Sequence, residues 1–232
     1  FQANQMVVVI RDVFLEPYGL AFKDQFYTDL TVGLVIAVLV AAVILGGIKR
    51  IGNVASKLVP AMVILYTISV VLILLLNFSE VIPSFLFIIE DAFSAKAALG
   101  GAFGMIVIEG AKRAAFSNEA GIGTAPMMHG AAKTKEPVRE GLVAMLGPAI
   151  DTLLICTMTG LCIIITGVWN SGEANGILLT ASAFAETLPG IGPIILLVCV
   201  IVFAITTVFG LAYYGQKCLS FLIGAKYGKL FN

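Results

Sequence analysis

Charged side chains are scarce in this sequence: Asp, Glu, Lys and Arg make up 12% of its 232 residues, whereas soluble domains carry about 25%. A chain with so few charges has too little polar surface to remain dissolved in water. This argues against a soluble enzyme, a disordered segment and a nucleic-acid-binding protein. The 14 basic and 14 acidic residues also cancel, so the net charge indicates no strongly charged partner such as DNA or RNA.

Several chemical motifs are missing as well. The four cysteines, Cys156, Cys162, Cys199 and Cys218, show no CxxC or Cys/His spacing, so neither a disulfide scaffold nor a zinc site is predicted. The sequence contains no nucleophile elbow, Walker loop or HExxH motif, and we therefore predict no enzyme activity. The chain begins at Phe1 without a signal-peptide pattern, and we expect a fragment of a longer membrane protein.

Apolar residues dominate instead. Hydrophobic residues make up 59% of the chain and the mean hydropathy is +1.04, which predicts an all-α integral membrane protein. A hydrocarbon core of about 30 Å is crossed by about 20 apolar residues of helix. The shorter apolar segments 84–93 and 177–187 are predicted to be surface or re-entrant helices. Membrane spans are predicted at about residues 31–47, 58–78, 98–131, 141–168 and 191–215.

The segments between these spans differ in charge. Basic residues concentrate in the loops 48–57 and 132–140 and in the tail after residue 215, whereas the intervening segments carry most of the acidic residues. The basic residues concerned are Lys49, Arg50, Lys57, Lys133, Lys135, Arg139, Lys217, Lys226 and Lys229. The positive-inside rule therefore places these three segments on the cytoplasmic side.

The third predicted span, residues 98–131, is too long for a straight crossing. A continuous helix of that length extends about 50 Å, well beyond the hydrocarbon core. The segment also contains several glycines and Pro126, together with Glu109, Lys112, Arg113, Asn118 and Glu119. Because irregular backbone survives at membrane depth only inside protein or beside a wet cavity, we predict a broken helix, a pattern typical of transporter binding sites.

The polar residues of segment 111–126 form the densest polar cluster inside the predicted spans. Ionisable groups inside a membrane cost about 2.5–3.5 kcal/mol each unless they are paired or hydrated. Backbone N–H groups freed by a break can bind a carboxylate, and freed C=O groups can bind an ammonium or a cation. The alternative is a packing face of small residues with an internal ion pair. Asn118 and Glu119 at this depth favour a binding site.

The last span contains a second polar feature, the adjacent Thr206 and Thr207. Their hydroxyls, with the backbone carbonyl of Phe203 one turn earlier, are the hard oxygen ligands that suit sodium. The alternative is that each hydroxyl bonds the carbonyl four residues earlier in its own helix, as threonines in membrane helices commonly do. The spacing by itself leaves both interpretations open.

Three stretches resemble conserved regions of the alanine or glycine:cation symporter family, the sodium:alanine symporters. The most specific is FSNEAGIGTAP at residues 116–126, and the others are GGIKRIGNVASKLVPAM at 46–62 and FAITTVFGLAYYG at 203–215. The resemblance implies a LeuT-type fold of two inverted repeats. It further implies that this chain is the central part of that fold and that residues 98–131 form its sixth, discontinuous helix.

The resemblance also implies the site residues. Thr206 and Thr207, on the eighth helix, are implied to hold sodium together with backbone oxygens of the first helix, and the Phe203 carbonyl remains a further candidate ligand. Half of the amino-acid site is implied to consist of Phe116, Ser117, Asn118, Glu119, Ala120, Gly121, Gly123 and Thr124.

Together these observations predict symport of a small neutral amino acid, alanine or glycine, with Na+ across the plasma membrane by a multi-pass protein. Bound cation is expected to stabilise the substrate-bound state, so that the sodium gradient drives uptake. The alternative is a channel or a structural membrane subunit, in which the charged cluster lines a pore or forms a packing network. The expected partners are the amino acid, the lipid bilayer and further helices of the parent chain, without nucleic acid.

Overall fold

The structure, a computed structural model, describes residues 2–92, 107–108, 110–112, 114–115, 119, 122–170 and 176–224. All regular elements in these ranges are helical. The helices are α1 (Gln2–Val9), α2 (Gln25–Ile44), α3 (Gly47–Leu76), α4 (Phe78–Ala92), α5 (Ala125–His129), α6 (Pro137–Ala149), α7 (Thr157–Thr166), α8 (Ile177–Thr187) and α9 (Gly192–Ile223). Two π-helical segments, Ile10–Leu15 and Ile150–Cys156, follow α1 and α6, and a short 3₁₀ turn occupies Val168–Asn170.

Four helical stretches in the described residues are long and apolar enough to cross a membrane: Gln25–Ile44, Gly47–Leu76, Pro137–Thr166 and Gly192–Ile223. They overlap four of the predicted spans, whereas most of the fifth, residues 98–131, lies outside the described residues. Large apolar side chains on these helices, such as Leu34, Leu75 and Leu153, are exposed. Lipid tails can cover these apolar faces in a membrane, and the helix backbone needs no further partners because its hydrogen bonds are made within the helix. The chain is therefore an all-α membrane protein.

The start of α2 is set by capping rather than by hydropathy. The Asp24 side chain accepts a hydrogen bond of 3.0 Å from the backbone N–H of Phe26, which satisfies one of the unpaired donors at the helix start. The helix therefore begins at Gln25, whereas the hydropathy pattern places the span's beginning at residue 31.

The predicted loop at residues 48–57 is wrong, because this segment is part of α3. Lys49, Arg50 and Lys57 are good helix formers, and their exposed side chains do not interrupt the helix. Hydropathy marks where a helix is apolar and not where it begins, so a polar first section of α3 reads as a loop. The segment 177–187, in contrast, matches α8 at both ends.

The described chain divides into two compact units, one formed by residues 1–73 with 168–232 and the other by residues 74–167. In the first unit, α1 and α8 pack against α9, and α2 also contacts α1 and α9. Phe184 of α8 is fully buried and stacks on Tyr66, with ring centroids 6.0 Å apart. The central buried cluster of this unit is Met6, Ile36, Val40, Ile44, Ile51, Ala204 and Phe209. In the second unit, α4 packs against α7 and α5 against α6.

A buried arginine ties the π-helical segment after α1 to the first part of α2. Arg11 Nη1 donates to both carboxylate oxygens of Asp29, at 2.7 and 2.8 Å, and its Nε donates to Asp12 at 2.7 Å. Burial acts to lower the pKa of Arg11, but the hydrogen bonds and charges of Asp12 and Asp29 outweigh it and raise the pKa. The guanidinium therefore stays charged and holds two chain segments 18 residues apart.

We expect Arg11→Gln to destabilise the first unit. Removing one partner of a buried ion pair costs about 3–5 kcal/mol, and because Asp29 is 37% exposed the expected loss is smaller, about 1–3 kcal/mol. The thermal unfolding midpoint of the detergent-solubilised protein should fall by several degrees. Lys23→Gln, which removes the same charge from an exposed residue nearby, is the control, and an equal fall in both variants would contradict the prediction.

Candidate functional site

The backbone leaves the right-handed helical region inside the predicted break. Residues 114 and 115 are helical and α5 begins at Ala125, but Glu119 between them has φ 52°. Among the described residues, Glu119 is the single non-glycine residue with a positive φ. This conformation costs about 1–2 kcal/mol for a residue with a side chain. Strain of this kind persists only where surrounding contacts enforce it, and it concentrates at functional sites.

A side-chain hydrogen bond closes the chain over this irregular segment. The hydroxyl of Thr124 donates to Oε2 of Glu119 at 2.6 Å, and the N–H of Ile122 bonds the Glu119 carbonyl at 3.4 Å. Gly123 has φ 89°, a region open to glycine and strained for other residues. These contacts hold Glu119 close to Ile122 and Thr124 immediately before α5 begins.

Thr124 has an unusual role for its position. It is the residue that precedes α5, where a threonine hydroxyl commonly accepts a hydrogen bond from a backbone N–H of the first turn. In this structure its side chain makes no such cap and instead binds the Glu119 carboxylate. The hydroxyl therefore stabilises the backbone before α5 through Glu119 and does not cap the helix.

The structure describes three of the eight predicted substrate residues: Glu119, Gly123 and Thr124. It brings Glu119 and Thr124 into direct contact. The other five lie outside the described residues: Phe116, Ser117, Asn118, Ala120 and Gly121. The backbone is irregular at Glu119 and Gly123, and the break of span 98–131 stays a prediction, since most of that span lies outside the described residues.

The predicted sodium ligands lie together on α9. The Thr206 hydroxyl donates to the carbonyls of Val202 and Phe203 at 2.8 and 3.0 Å, and the Thr207 hydroxyl donates to the Phe203 carbonyl at 2.9 Å. The helix-internal bonds anticipated as the alternative are therefore present. A hydroxyl that donates its proton keeps its oxygen lone pairs, so both threonine oxygens retain the capacity to bind a cation. The Phe203 carbonyl already accepts two hydroxyls, which makes it the weaker candidate ligand.

A polar pair that sequence reasoning missed lies after the irregular turn. From its position His129 is predicted as a solvated or capping residue rather than a proton relay. In the structure its Nδ1–H donates to Oε1 of Glu140 in the first turn of α6, at 2.7 Å. Pro137 at the start of α6 is a sequence signal for the beginning of a new helix. A helical hairpin can therefore be predicted from the sequence, whereas the contact between His129 and Glu140 cannot.

His129 and Glu140 also line a cavity of about 460 Å³ in the second unit. Its walls come from α5, the connecting loop and α6, and include Pro126, Gly130 and Ala144. Most of these are small or apolar residues, so the His129–Glu140 pair supplies the charged part of the wall.

Comparison with known proteins gives concordant results. The sequence model described as "Sodium:alanine symporter family" matches residues 1–231. The chain is 42% identical to the sodium/alanine symporter AgcS of Methanococcus maripaludis, over 91% of this chain and 48% of that protein. It is 43% identical to an uncharacterized transporter of Haemophilus influenzae, over 91% and 48%.

A more distant relative has a different amino acid in its name. The probable sodium/glutamine symporter GlnT of Bacillus subtilis is 31% identical, over 94% of this chain and 46% of that protein. The chain thus spans about half the length of the curated relatives that it matches.

Proposed function

The chain belongs to the sodium:alanine symporter family, and from this premise we propose that the protein moves a small neutral amino acid, alanine or glycine, inward together with sodium. The support is the 42% identity to a protein named as a sodium/alanine symporter. The names of the relatives favour a carrier over a channel or a structural subunit. Sodium acts as the coupling ion when its binding stabilises the substrate-bound state, because coupling between two sites is reciprocal.

The proposed substrate site is the segment from Phe116 to Thr124. Where a membrane helix is interrupted, backbone N–H and C=O groups lose their helical partners and become available to the charged ends of a small amino acid. The left-handed Glu119 and the Thr124–Glu119 hydrogen bond support this assignment. They favour a non-helical backbone at Glu119 over the continuation of the helix.

The proposed sodium site uses the hydroxyl oxygens of Thr206 and Thr207, with the Phe203 carbonyl as a further ligand. Sodium is a hard cation that binds neutral and charged oxygens. Support comes from the adjacency of the two hydroxyls on α9 and from the direction of their protons, which point to backbone carbonyls and leave the lone pairs for a ligand.

For the whole protein we propose a LeuT-type fold of inverted repeats in the cell membrane. Residues 1–232 form part of a single multi-pass transmembrane domain in this proposal, and further helices complete both sites. Residues 98–131 are its discontinuous helix. The four membrane-capable helices and the irregular turn at Glu119 support this arrangement.

Reconstitution tests the proposed function. The whole polypeptide that carries this sequence, placed in proteoliposomes with an inward sodium gradient, should accumulate labelled alanine above the outside concentration in a saturable manner. Accumulation should vanish when sodium is equal on both sides, because no gradient then drives it. Uptake that ignores sodium, or flux that only equalises alanine, would contradict symport and favour the channel. Protein-free liposomes give the background.

A further inference from the structure

The helical hairpin formed by α5, the loop 130–136 and α6 directly follows the proposed substrate segment. Thr124, which binds Glu119, immediately precedes α5, and His129 ends α5. His129 in turn binds Glu140 in the first turn of α6. A continuous path of one hydrogen bond, one short helix and a second hydrogen bond therefore joins the irregular turn to α6.

The hydrogen bond between His129 and Glu140 is short, and its acceptor is a carboxylate. A 2.7 Å contact to a carboxylate is a charge-assisted hydrogen bond, about twice as strong as a neutral one. Glu140 lies in the first turn of α6, where the positive end of the helix favours a negative charge. Both side chains are partly exposed, at 39% and 24%, so the pair lies at the surface of the cavity wall and its opening does not uncover a fully buried charge.

The basic residues near the cavity indicate the side of the membrane on which it lies. The loop between α5 and α6 and the beginning of α6 carry Lys133, Lys135 and Arg139, and the positive-inside rule places them in the cytoplasm. The cavity lined by His129 and Glu140 is therefore on the cytoplasmic side of the proposed substrate segment. This is the side to which an inward symporter releases its substrate.

We propose that His129 and Glu140 are positioning residues for substrate release: their bond clasps α5 to α6, and it must open for the cytoplasmic cavity to widen. The inference rests on the proposed function, since release has meaning only for a transporter. Opening the clasp frees α5 to move relative to α6. Because α5 begins next to Thr124, this motion is transmitted to the Glu119–Thr124 turn.

Cysteine labelling measures the opening directly. Ala144, in the cavity wall, is replaced by cysteine in the whole polypeptide after every native cysteine of that polypeptide, including the four of this sequence, is changed to alanine. A membrane-impermeant maleimide is then applied to the cytoplasmic face of inside-out vesicles. We expect Glu140→Gln to raise the labelling rate about fivefold, since the amide loses the charge that strengthens the clasp.

Two further variants make the test specific. Glu136→Gln is the matched control, because Glu136 is an exposed acid one turn earlier whose backbone contacts Thr134. His129→Ala should raise labelling as Glu140→Gln does, and the double variant should label no faster than the faster single one, since either change breaks the same bond. His129→Ala also provides the test if Glu140→Gln fails to fold.

The outcomes separate this inference from the proposed function. Labelling of both clasp variants within twofold of the unsubstituted protein, or an equal rise with Glu136→Gln, would overturn the clasp. Labelling requires no transport. A protein that takes up no alanine but shows the expected labelling would therefore contradict the proposed symport function and leave the proposed opening of the His129–Glu140 bond supported. In an active protein, the maximal rate should change while the ratio of the maximal rate to the KM for external alanine stays within about twofold, because release follows binding and translocation and does not enter that ratio.

Discussion

Replacing Thr124 with valine is expected to lower sodium-dependent alanine uptake at least tenfold. Valine has the shape of threonine but lacks the hydroxyl that donates to Glu119 at 2.6 Å. A hydrogen bond to a charged group is worth about 1.5–3 kcal/mol, and each 1.4 kcal/mol corresponds to about tenfold. Without this bond the left-handed conformation of Glu119 loses a contact that enforces it. Initial uptake rates in proteoliposomes, normalised to the amount of protein, measure the effect.

Thr124→Ser is the matched control for this prediction. Serine keeps the hydroxyl and removes only a methyl group, so uptake should stay within about threefold of the unsubstituted protein. Glu119→Gly separates strain from hydrogen bonding, because glycine adopts φ near 52° readily but offers no carboxylate. If the turn needs only its backbone shape, Glu119→Gly retains uptake. Equal uptake in the valine and serine variants would refute a functional role for the hydrogen bond.

The second large effect is expected at the sodium site. Thr207→Ala should raise the sodium concentration for half-maximal uptake at least tenfold, because alanine removes one of the proposed oxygen ligands. The helix itself should persist, since alanine is the best helix former. Uptake of alanine is measured against sodium concentration at fixed alanine. At saturating sodium the KM for alanine should return to within about twofold of the unsubstituted value, as the coupling of two sites requires.

Two controls isolate the ligand role from the helix-internal bond. Thr207→Ser retains the hydroxyl and should retain sodium affinity. Thr166→Ala removes a hydroxyl on α7 that bonds its own helix, at Cys162 and Ile163, in the same manner as Thr206 on α9. A similar shift in sodium dependence for Thr166→Ala and Thr207→Ala would show that loss of a helix-internal bond is sufficient, and would remove the ligand assignment.

Local sequence patterns predict where the chain is helical, but not where each helix begins. The segments 177–187 and 191–215 are predicted from apolar runs, and helices occupy both positions. Loop 48–57 is predicted incorrectly because polarity was equated with irregular backbone, although Lys and Arg continue α3. A break near Glu119 is predicted from the length of the span, its glycine content and its charged residues at membrane depth, and it stays a prediction; Glu119 and Gly123 have positive φ angles.

The partners of the polar residues could not be predicted in the same way. Arg11 and Asp29 are 18 residues apart, and His129 and Glu140 are 11 apart. Whether such residues come into contact depends on where each helix begins and on the turn that precedes it. For α2, the beginning is set by the Asp24 cap. Neither composition nor periodicity contains this information, so His129 could be predicted only as a solvated or capping residue.

Membrane residence, the approximate position of most spans, and the family were determined by the sequence alone, because hydropathy and short motifs are properties of neighbouring residues. The left-handed backbone at Glu119, its hydrogen bond from Thr124 and the pairing of His129 with Glu140 were decided only by the tertiary structure. Each of these depends on the path of the chain between the two partners. That path results from packing and turn geometry summed over many residues, which no local pattern records.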